Sequence, residues 1–482
     1  MAAVPSAAGA TPRNGLSPAP LPAGRRGSEL AMLCFALAIV ALAFASVGFG
    51  LNGHLPAGLV LYVGGFAALM IGAHLTVRWL APWADPLLVP LAAVLNGLGI
   101  VMIYRLQEAG RHGNAGAFGL PVSTLTAHSA VYQLVWTAVG IAAFIAVLVV
   151  FREPRILQRY TYTIGLVGLL LLAFPIVLPA SHSEVNGAKE WIIFGGFSIQ
   201  PGEFAKIALA VFFAGYLVAK RDVLSLAGRR FLGIDLPRAR DLGPILVVWG
   251  LNLLILIAEQ DIGASGLFFG LFVVMLYIAT QRKSWLLIGV GLFAAAALIA
   301  WVAISHVAER FTIWLDPFNP ATIHGISEQL AYGLEGMAFG GLFGTGLGQG
   351  QPYWTPLVQS DFIFTGFGEE LGLVGVMALL LIFGLLVQRG LRTAIAIKDP
   401  FSKLLAGGLA FSIALQLFII VGGVTQLIPL TGVTTPFLSQ GGSSLVASWM
   451  IIAILIRISD TARRPAPQSI QDEGLTQVVR AL

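Results

Sequence analysis

Three polar stretches interrupt a strongly apolar sequence, and each carries side chains that could act on a substrate. In the first stretch, residues 200–206, Glu203 and Lys206 are three positions apart and share one face of a helix that Pro201 can start. Two interpretations of this pair stay open. It is either an internal ion pair that neutralises two charges, or a charged wall of a substrate cavity.

The second stretch, Glu259–Asp261, ends one apolar run just before the next begins. Asp261 is therefore either the cap of the following helix or a second acidic group at the depth of Glu203. A charged side chain next to a hydrophobic span is costly and usually faces a partner or a cavity, so both interpretations predict a defined neighbour.

The third stretch places Asp361 among aromatic and β-branched residues, in the segment 359–364. Desolvation there would raise the pKa of Asp361 and make it a better base near neutral pH. The structural alternative is a helix cap. Glu369 and Glu370 fall where the following helix is predicted to begin, and they are structural candidates that complement its dipole.

Other common catalytic signals are missing from the sequence. It has no HExxH, P-loop or GxSxG motif, and its seven histidines show no ligand spacing. The single cysteine, Cys34, excludes an intramolecular disulfide and a cysteine-based metal site. The glycine-rich segment 344–350 follows no strand, which favours a tight turn over a phosphate-binding loop.

The composition determines what must position these groups. The 482 residues are 57% hydrophobic and 11% charged, whereas soluble domains carry about 25% charged residues. Mean hydropathy is +0.86. These values exclude a soluble enzyme and a nucleic-acid-binding domain, so no nucleic acid is expected as a partner. They predict an all-α polytopic membrane protein.

Twelve apolar runs are long enough to suggest transmembrane helices. They cover residues 30–50, 57–79, 86–104, 130–151, 160–180, 204–219, 243–260, 263–281, 285–305, 371–388, 405–424 and 443–458. With the N-terminus inside, the alternation places 23 of the 28 Lys and Arg residues on the cytoplasmic side and 4 outside, with Lys206 within a span. This asymmetry predicts that both termini are cytoplasmic.

The same map divides the chain into three parts. Residues 1–28, rich in Ala, Pro and Gly, are predicted to be a disordered cytoplasmic tail, and 461–482 a second cytoplasmic tail. Residues 29–460 form a single transmembrane domain. Within it, 306–370 is predicted to be one large extracytoplasmic loop with a function, because loops of this length are uncommon without one. The three polar stretches all fall near the outer surface.

Six ordered segments of this sequence resemble motifs of the RodA/FtsW/SpoVE family, also called SEDS proteins. They extend over about residues 186–445 and lie in Asn186–Lys206, Glu259–Gly263, Arg310–Pro317, Met337–Gly348, Ser360–Gly372 and Thr431–Ser444. Gly202, Gln260 and Gln440 depart from the family's usual Ser, Pro and Tyr, but the aspartate of its DFIF motif is kept as Asp361. Thr431, where FtsW-like members tend to have Lys, favours the RodA branch.

The resemblance implies a peptidoglycan glycosyltransferase that polymerises lipid II at the outer face of the cytoplasmic membrane and releases undecaprenyl pyrophosphate. It also implies that Asp361 is catalytic. An inverting displacement needs a base for the acceptor hydroxyl and positive charge for the leaving pyrophosphate. Asp361 is either that base or a ligand of a divalent cation, Mg²⁺ or Mn²⁺; no organic cofactor is expected.

The remaining site candidates would bind pyrophosphate or line the cavity. They are Glu203, Lys206, Arg310, Asp261, Arg105 and Ser443. The expected partners are lipid II, the growing glycan strand and, from the family, a class B penicillin-binding protein. Three alternatives stay open: a transporter of lipid-linked precursors, a non-catalytic scaffold, and a division-specific polymerase of the FtsW type. Transport is disfavoured because the charges cluster at the outer end and not at the midplane.

Overall fold

The computed structural model describes residues 24–465, apart from 57, 112–127, 186–187, 195–196, 225–226, 232–233, 238–245, 248–249, 252–253 and 255–261. Helices form most of this part of the chain. They are α1 (Gly24–Asn52), α2 (Gly65–Leu80), α3 (Leu88–Arg111), α4 (Ser129–Val150), α5 (Ile156–Arg159), α6 (Thr161–Val177), α7 (Ala180–Ser183), α8 (Pro201–Leu224), α9 (Ile262–Thr280), α10 (Lys283–Ala303), α11 (Ser305–Leu315), α12 (Glu328–Gly340), α13 (Ile363–Ala396), α14 (Pro400–Val424) and α15 (Gly442–Arg463). A π-helical turn, Val60–Gly64, leads into α2, and a 3₁₀ turn covers Pro352–Trp354.

Short strands occur only between the apolar runs of the described chain. They form three antiparallel hairpins: β1 (Glu184–Val185) with β2 (Ala188–Lys189), β3 (Ile192–Phe194) with β4 (Phe197–Ile199), and β5 (Ala227–Phe231) with β6 (Ile234–Pro237). The exclusion of strands from the apolar runs is therefore confirmed for the residues that the structure describes.

Ten described helices are long and apolar enough to cross a membrane. They are α1, α2 with its preceding π-helical turn, α3, α4, α8, α9, α10, α13, α14 and α15. Each overlaps one predicted run. The run at 160–180 corresponds to α6, which has 17 residues, and most of the run at 243–260 lies outside the described residues. A polytopic helical membrane protein is thus confirmed, whereas the count of twelve spans and the side of each loop stay predictions.

The bundle is organised around α3 and α15, which are buried along nearly their whole length. Helix α15 packs against α4, α1 packs on α3, and α13 packs against α14. The outer helices expose apolar side chains, among them Phe35, Val302 and Leu381. A surface of this kind is stable where lipid replaces water, because no apolar area is then left hydrated.

The N-terminal pair of helices is tied to the bundle by a buried charge cluster. Arg26 forms an ion pair with Glu29 and donates to the carbonyl oxygens of Ala81 and Ala84 at 2.9 and 2.8 Å. His74 completes the cluster at 2.9 Å from Glu29. Helix α1 starts at Gly24, within the last five residues of the predicted tail 1–28. Residues 1–23 and 466–482 lie outside the described part, so the two disordered tails stay predictions.

The predicted extracytoplasmic loop 306–370 contains most of α11, all of α12 and the start of α13, and the side of the membrane on which it lies stays a prediction. Helix α11 buries Val307 and Ile313, and α12 packs so closely on α13 that Gly333 has no room for a side chain beside Phe362. Helix α13 begins at Ile363, eight residues before the predicted run, and breaks at Gly372, where φ is +67°. The abundant glycines conceal the helical periodicity of this segment because they contribute no apolar side chain to it.

Candidate active site

Asp361 lies in the turn that leads into α13, at the end of the bundle that the charge asymmetry predicts to be external. Its side chain is half-buried, and the Ser360 hydroxyl donates to Asp361 Oδ1 at 2.6 Å. The side chain of Gln329, from the first turn of α12, also interacts with the carboxylate. Arg310, half-buried on α11, is near enough to attract it electrostatically.

Burial raises the pKa of Asp361 above its ordinary value, because the charged form loses hydration. The Ser360 hydrogen bond, the Arg310 charge and Gln329 act in the opposite direction without cancelling this effect. The predicted direction of the shift is therefore confirmed, and it makes the carboxylate a stronger base than a hydrated aspartate.

Two distant segments fix the backbone that carries Asp361. The Ser439 hydroxyl donates to the carbonyl oxygen of Ser360, and the N–H of Gln440 donates to the carbonyl oxygen of Gln359 at 2.8 Å. Gln133 of α4 in turn donates to the carbonyl oxygen of Ser439 at 3.0 Å. The loop before α15 therefore holds the Asp361 turn in place from the side opposite α12.

Glu203 and Lys206 form the ion pair that their spacing predicts, with Lys206 Nζ 2.5 Å from Glu203 Oε2. Both side chains are buried, and Lys206 also donates to Gln416 Oε1 of α14 at 2.7 Å. Gln416 in turn donates to the carbonyl oxygen of Thr434 at 2.9 Å, which extends the hydrogen-bonded chain from Lys206 to the segment before α15. A cavity of about 30 Å³ adjoins the pair, large enough for a water molecule but not for a sugar.

Ser443 links this region to the end of the bundle that carries Asp361. Its buried hydroxyl accepts from the N–H of Gln200 at 3.2 Å, immediately before α8 begins. Ser443 thus joins the start of α8 to the start of α15. Asp261 lies outside the described residues.

Arg105 and Glu370 form a second buried ion pair, which the sequence analysis did not connect. Arg105 Nε is 2.8 Å from Glu370 Oε1, and Arg105 also donates to the carbonyl oxygen of Gly350 at 2.7 Å. Glu370 accepts from the N–H of Gly348 at 3.1 Å. The predicted complement to a helix dipole is wrong for Glu369 and Glu370, because α13 has already begun at Ile363.

An apolar groove of about 420 Å³ runs between α9, α10, α11 and α14. Phe269, Phe293 and Phe418 line it, together with Val307 and Phe311 of α11. Arg310 lies on the same short helix, next to Phe311 in sequence. Because Val307, Arg310 and Phe311 are three and four positions apart, they share one side of α11, so Arg310 lies at the edge of this lipid-compatible groove.

The residues around Asp361 fit a divalent cation only if the substrate supplies most of its ligands. No group of three His, Cys, Asp or Glu side chains gathers anywhere among the described residues. Mg²⁺ is commonly held by one or two carboxylates together with phosphate oxygens and water. Asp361 together with the oxygens of a pyrophosphate would meet that requirement. Arg310 would supply positive charge to the pyrophosphate even without a metal ion.

Comparison with known proteins agrees with the arrangement of these motifs. The sequence model of the FtsW/RodA/SpoVE family, described as cell cycle proteins, matches residues 86–464. This chain belongs to that family. The match begins after α1 and α2, so the N-terminal pair lies outside the region that defines the FtsW/RodA/SpoVE family.

Relatives within the family separate into two groups. The peptidoglycan glycosyltransferase RodA of Mycobacterium tuberculosis is 50% identical over 450 residues, 92% of either chain, and that of Mycobacterium leprae is 48% identical over 449 residues. A probable peptidoglycan glycosyltransferase FtsW of a Geobacter species is 31% identical over 388 residues, 79% of this chain and 98% of its own. The higher identity agrees with the predicted RodA branch.

Solved structures share the fold. The crystal structure of the rod shape determining protein RodA of Thermus thermophilus matches with a TM-score of 0.55 and 24% identity, covering 81% of this chain and all of the other. A chain of a peptidoglycan synthase complex that coordinates polymerization and crosslinking matches with a TM-score of 0.51 over 84% of this chain and 98% of the other.

Several residues of the site escaped the sequence analysis. Gln416, Gln329 and Gln133 contact the predicted charges or their backbone, and each is uncharged. A signal was available for Gln416 and Gln133, since an amide within an apolar run is expensive unless it has a partner. Nothing in the sequence marks Gln329.

Proposed function

We propose that this chain, a peptidoglycan glycosyltransferase of the RodA type, uses Asp361 to polymerise lipid II into glycan strands for cell elongation. The observation that carries the proposal is the environment of Asp361. Its carboxylate is half-buried and has a raised pKa, it accepts from the Ser360 hydroxyl, and it is attracted by the charge of Arg310. A carboxylate tuned in this way suits general base catalysis.

The proposed reaction is a single displacement. Asp361 removes the proton from the 4-hydroxyl of the acceptor sugar while that oxygen bonds to the anomeric carbon of the donor. The bond from this carbon to the pyrophosphate oxygen breaks, and the prenyl pyrophosphate leaves with the electron pair. An α-linked donor then gives a β-linked product with no covalent intermediate on the enzyme.

Arg310 and the apolar groove support a lipid-linked donor. Arg310 is the cation nearest to Asp361 for which the structure gives an electrostatic effect, so it is placed to receive the leaving pyrophosphate. The groove lined by Val307 and Phe311 of α11 is apolar and lies between helices, as a polyprenyl chain requires. A divalent cation held by Asp361 and the pyrophosphate would neutralise the same charge.

Lys206 has a different part in this scheme. Because it is buried and already bonded to Glu203 and Gln416, we assign it to positioning the start of α8 beside the Gln200–Ser443 contact. Arg105 already forms an ion pair with Glu370 and donates to the carbonyl oxygen of Gly350. In this proposal it therefore stabilises the glycine-rich turn and does not bind pyrophosphate.

The proposed location is the cytoplasmic membrane of a bacterium, with the active site on the outer side. The 23 to 4 distribution of basic residues supports this orientation. A class B penicillin-binding protein is the proposed partner. The support for it is that one structural neighbour belongs to a synthase complex that couples polymerization to crosslinking.

Purified Asp361→Asn protein tests the proposal. With lipid II in detergent, polymer formation should fall by a factor of about 10²–10⁴, the usual contribution of a general base. Glu309→Gln, a half-exposed carboxylate on the helix of Arg310, is the matched control and should stay active. Because the precursor is already in detergent, no transport step is needed. Full activity of Asp361→Asn would refute the assignment, and no polymer from the unmutated protein would favour a transporter.

A further inference from the structure

A second cavity, of about 330 Å³, lies between α12, the glycine-rich turn and the first two turns of α13; we call it the α12–α13 pocket. Its aromatic lining residues are Tyr332, Phe339 and Trp354. Its hydrogen-bonding residues include Glu335, Gln349 and Glu369. The volume is at the lower end of the range for small-ligand sites, which is roughly 300–1,000 Å³.

The lining determines what chemistry the pocket can accept. Aromatic rings stack on the C–H face of a sugar, while carboxylate and amide oxygens accept hydrogen bonds from its hydroxyl and amide groups. None of the described lining residues is Lys or Arg, and two are glutamates. A phosphate or pyrophosphate would be repelled, so the lining favours a neutral ligand that carries many hydroxyl groups.

The walls of the pocket are held rigidly. Glu369 Oε1 accepts from the N–H of Gln351 at 2.5 Å, and the N–H groups of Thr345 and Gly346 donate to carbonyl oxygens of α13 at 3.0 and 2.9 Å. The Arg105–Glu370 pair braces the same turn from below through Gly348 and Gly350. A preorganised pocket loses little free energy to ordering when a ligand binds.

The pocket is close to Asp361 without including it. Gln329, which interacts with Asp361, and Tyr332, which lines the pocket, are three residues apart on α12 and share a face. Along α13, Glu369 is eight residues beyond Asp361, a distance of about 12 Å at helical rise. A short run of linked sugars can span that distance.

We propose that the α12–α13 pocket binds an N-acetylated sugar ring of the glycan strand, a few units from the reaction centre, and retains the strand between successive additions. The inference rests on the proposed function, because it needs a glycan at Asp361. Binding of a sugar ring would explain why aromatic and acidic side chains lie together in this pocket. It would also explain why the buried Arg105 and Glu370 hold the neighbouring glycine-rich turn in place.

Strand length tests the proposal. Trp354→Ala and Phe339→Ala should shorten the mean strand about two- to tenfold, the loss expected when one aromatic contact is removed. Phe343→Ala is the matched control, because Phe343 is 78% exposed and Phe339 82%, and only Phe339 lines the pocket. Length is measured on polymer made from labelled lipid II. Unchanged length in both pocket variants would overturn the proposal.

Direct binding separates this inference from the proposed function. Chitotetraose, four β-1,4-linked N-acetylglucosamine units, is titrated into Asp361→Asn protein by saturation-transfer NMR, so that no turnover is needed. Binding should be weakened by the further Trp354→Ala change and unaffected by Phe343→Ala. No binding, or equal binding in all three proteins, would overturn the pocket while leaving the Asp361 assignment to its own assay.

The pair Glu335→Gln and Glu335→Ala identifies the chemistry of the ligand. An amide still accepts hydrogen bonds from a sugar, so the Gln variant should bind chitotetraose more tightly than the Ala variant. A cationic ligand, such as an ammonium group of a peptide, would need the charge of Glu335. If the Gln and Ala variants lose binding equally, a neutral sugar is the wrong ligand class.

Discussion

Two aspartates at one end of the helical bundle and one at the other differ in the charge of their hydrogen-bond partners. At the predicted inner end, Asp460 accepts from the N–H of Trp83 at 2.8 Å and from Arg464 at 2.7 Å, and Asp85 forms an ion pair with Arg463. Both aspartates are buried. At the predicted outer end, Asp361 is half-buried, and Ser360 is its neighbour in sequence.

The difference shows how the two structural aspartates differ from the one that is proposed to react. Asp85 and Asp460 join α15 to the segment before α3, and each is paired with an arginine at the end of α15, at 2.5 and 2.7 Å. Asp361 keeps a raised pKa because burial outweighs its polar contacts. At hydrogen-bond distance Asp361 meets only uncharged donors, whereas Asp85 and Asp460 each meet a guanidinium group. The charge of the partners, and not residue type, therefore distinguishes the two ends.

The largest effect on stability is expected at the inner end. Asp460→Ala leaves the exposed Arg464 and the N–H of Trp83 without their acceptor, and it removes the negative charge that attracts the buried guanidinium of Arg457. Removing one partner of a buried charge pair typically costs about 3–5 kcal/mol. Unfolding in detergent should show this loss, while polymerisation per folded molecule stays within about twofold of the unmutated protein. A stable but inactive Asp460→Ala protein would remove the contrast between the two ends.

A smaller loss of stability is expected where α1 packs against the glycine-rich turn at the predicted outer end. A side chain at Gly50 would meet the carbonyl oxygen of Leu347 at 2.4 Å, so Gly50→Ala must displace the glycine-rich turn. Overpacking of this kind costs about 1–3 kcal/mol. Gly72→Ala, on α2, is the control: nothing lies within 4 Å of the added carbon. Equal thermal stability of the two variants would show that α1 does not brace the turn.

The start of α14 provides a third measurement. Asp399 accepts from the N–H of Ser402 at 2.9 Å as an N-cap, and Asp399→Ala should cost about 1 kcal/mol. Burial acts to raise the pKa of Asp399, but the Ser402 hydroxyl, the Ser402 N–H and Arg155 outweigh it and lower the pKa. The contribution is therefore present at neutral pH and lost as the pH falls through the lowered pKa. Asp399→Ala and Asp399→Ser should both show a weaker acid dependence of stability, because neither side chain titrates, whereas only Asp399→Ser should keep most of the cap's contribution to stability.

The smallest expected change is a displacement of the pH profile. Arg310 lowers the pKa of Asp361, so Arg310→Met should raise it further. A base must be ionised, and activity therefore falls as the pH drops through its pKa. The acidic limb of kcat/KM should move to higher pH in Arg310→Met, whereas Arg392→Met, at the far end of α13, should leave the limb unchanged. A limb that stays in place in Arg310→Met would show that Asp361 does not control it.

Much of the fold could be read from local composition. The apolar runs match the ten long helices because the bilayer imposes a length of about 20 residues on each span. The Glu203–Lys206 contact was predictable because three residues in a helix form one face. The helices within 306–370 were missed because glycine-rich packing leaves a weak apolar pattern.

The sequence by itself determined the class of protein and the apolar helices, and it supplied the aspartate proposed to react, because these depend on hydrophobic length, charge distribution and local motifs. Only the tertiary structure decided which polar side chains contact one another. Arg105 meets Glu370 across 265 positions, and Ser439 reaches Ser360 across 79. Such contacts are set by the packing of whole helices, and a buried polar group is satisfied by whichever donor or acceptor that packing brings near.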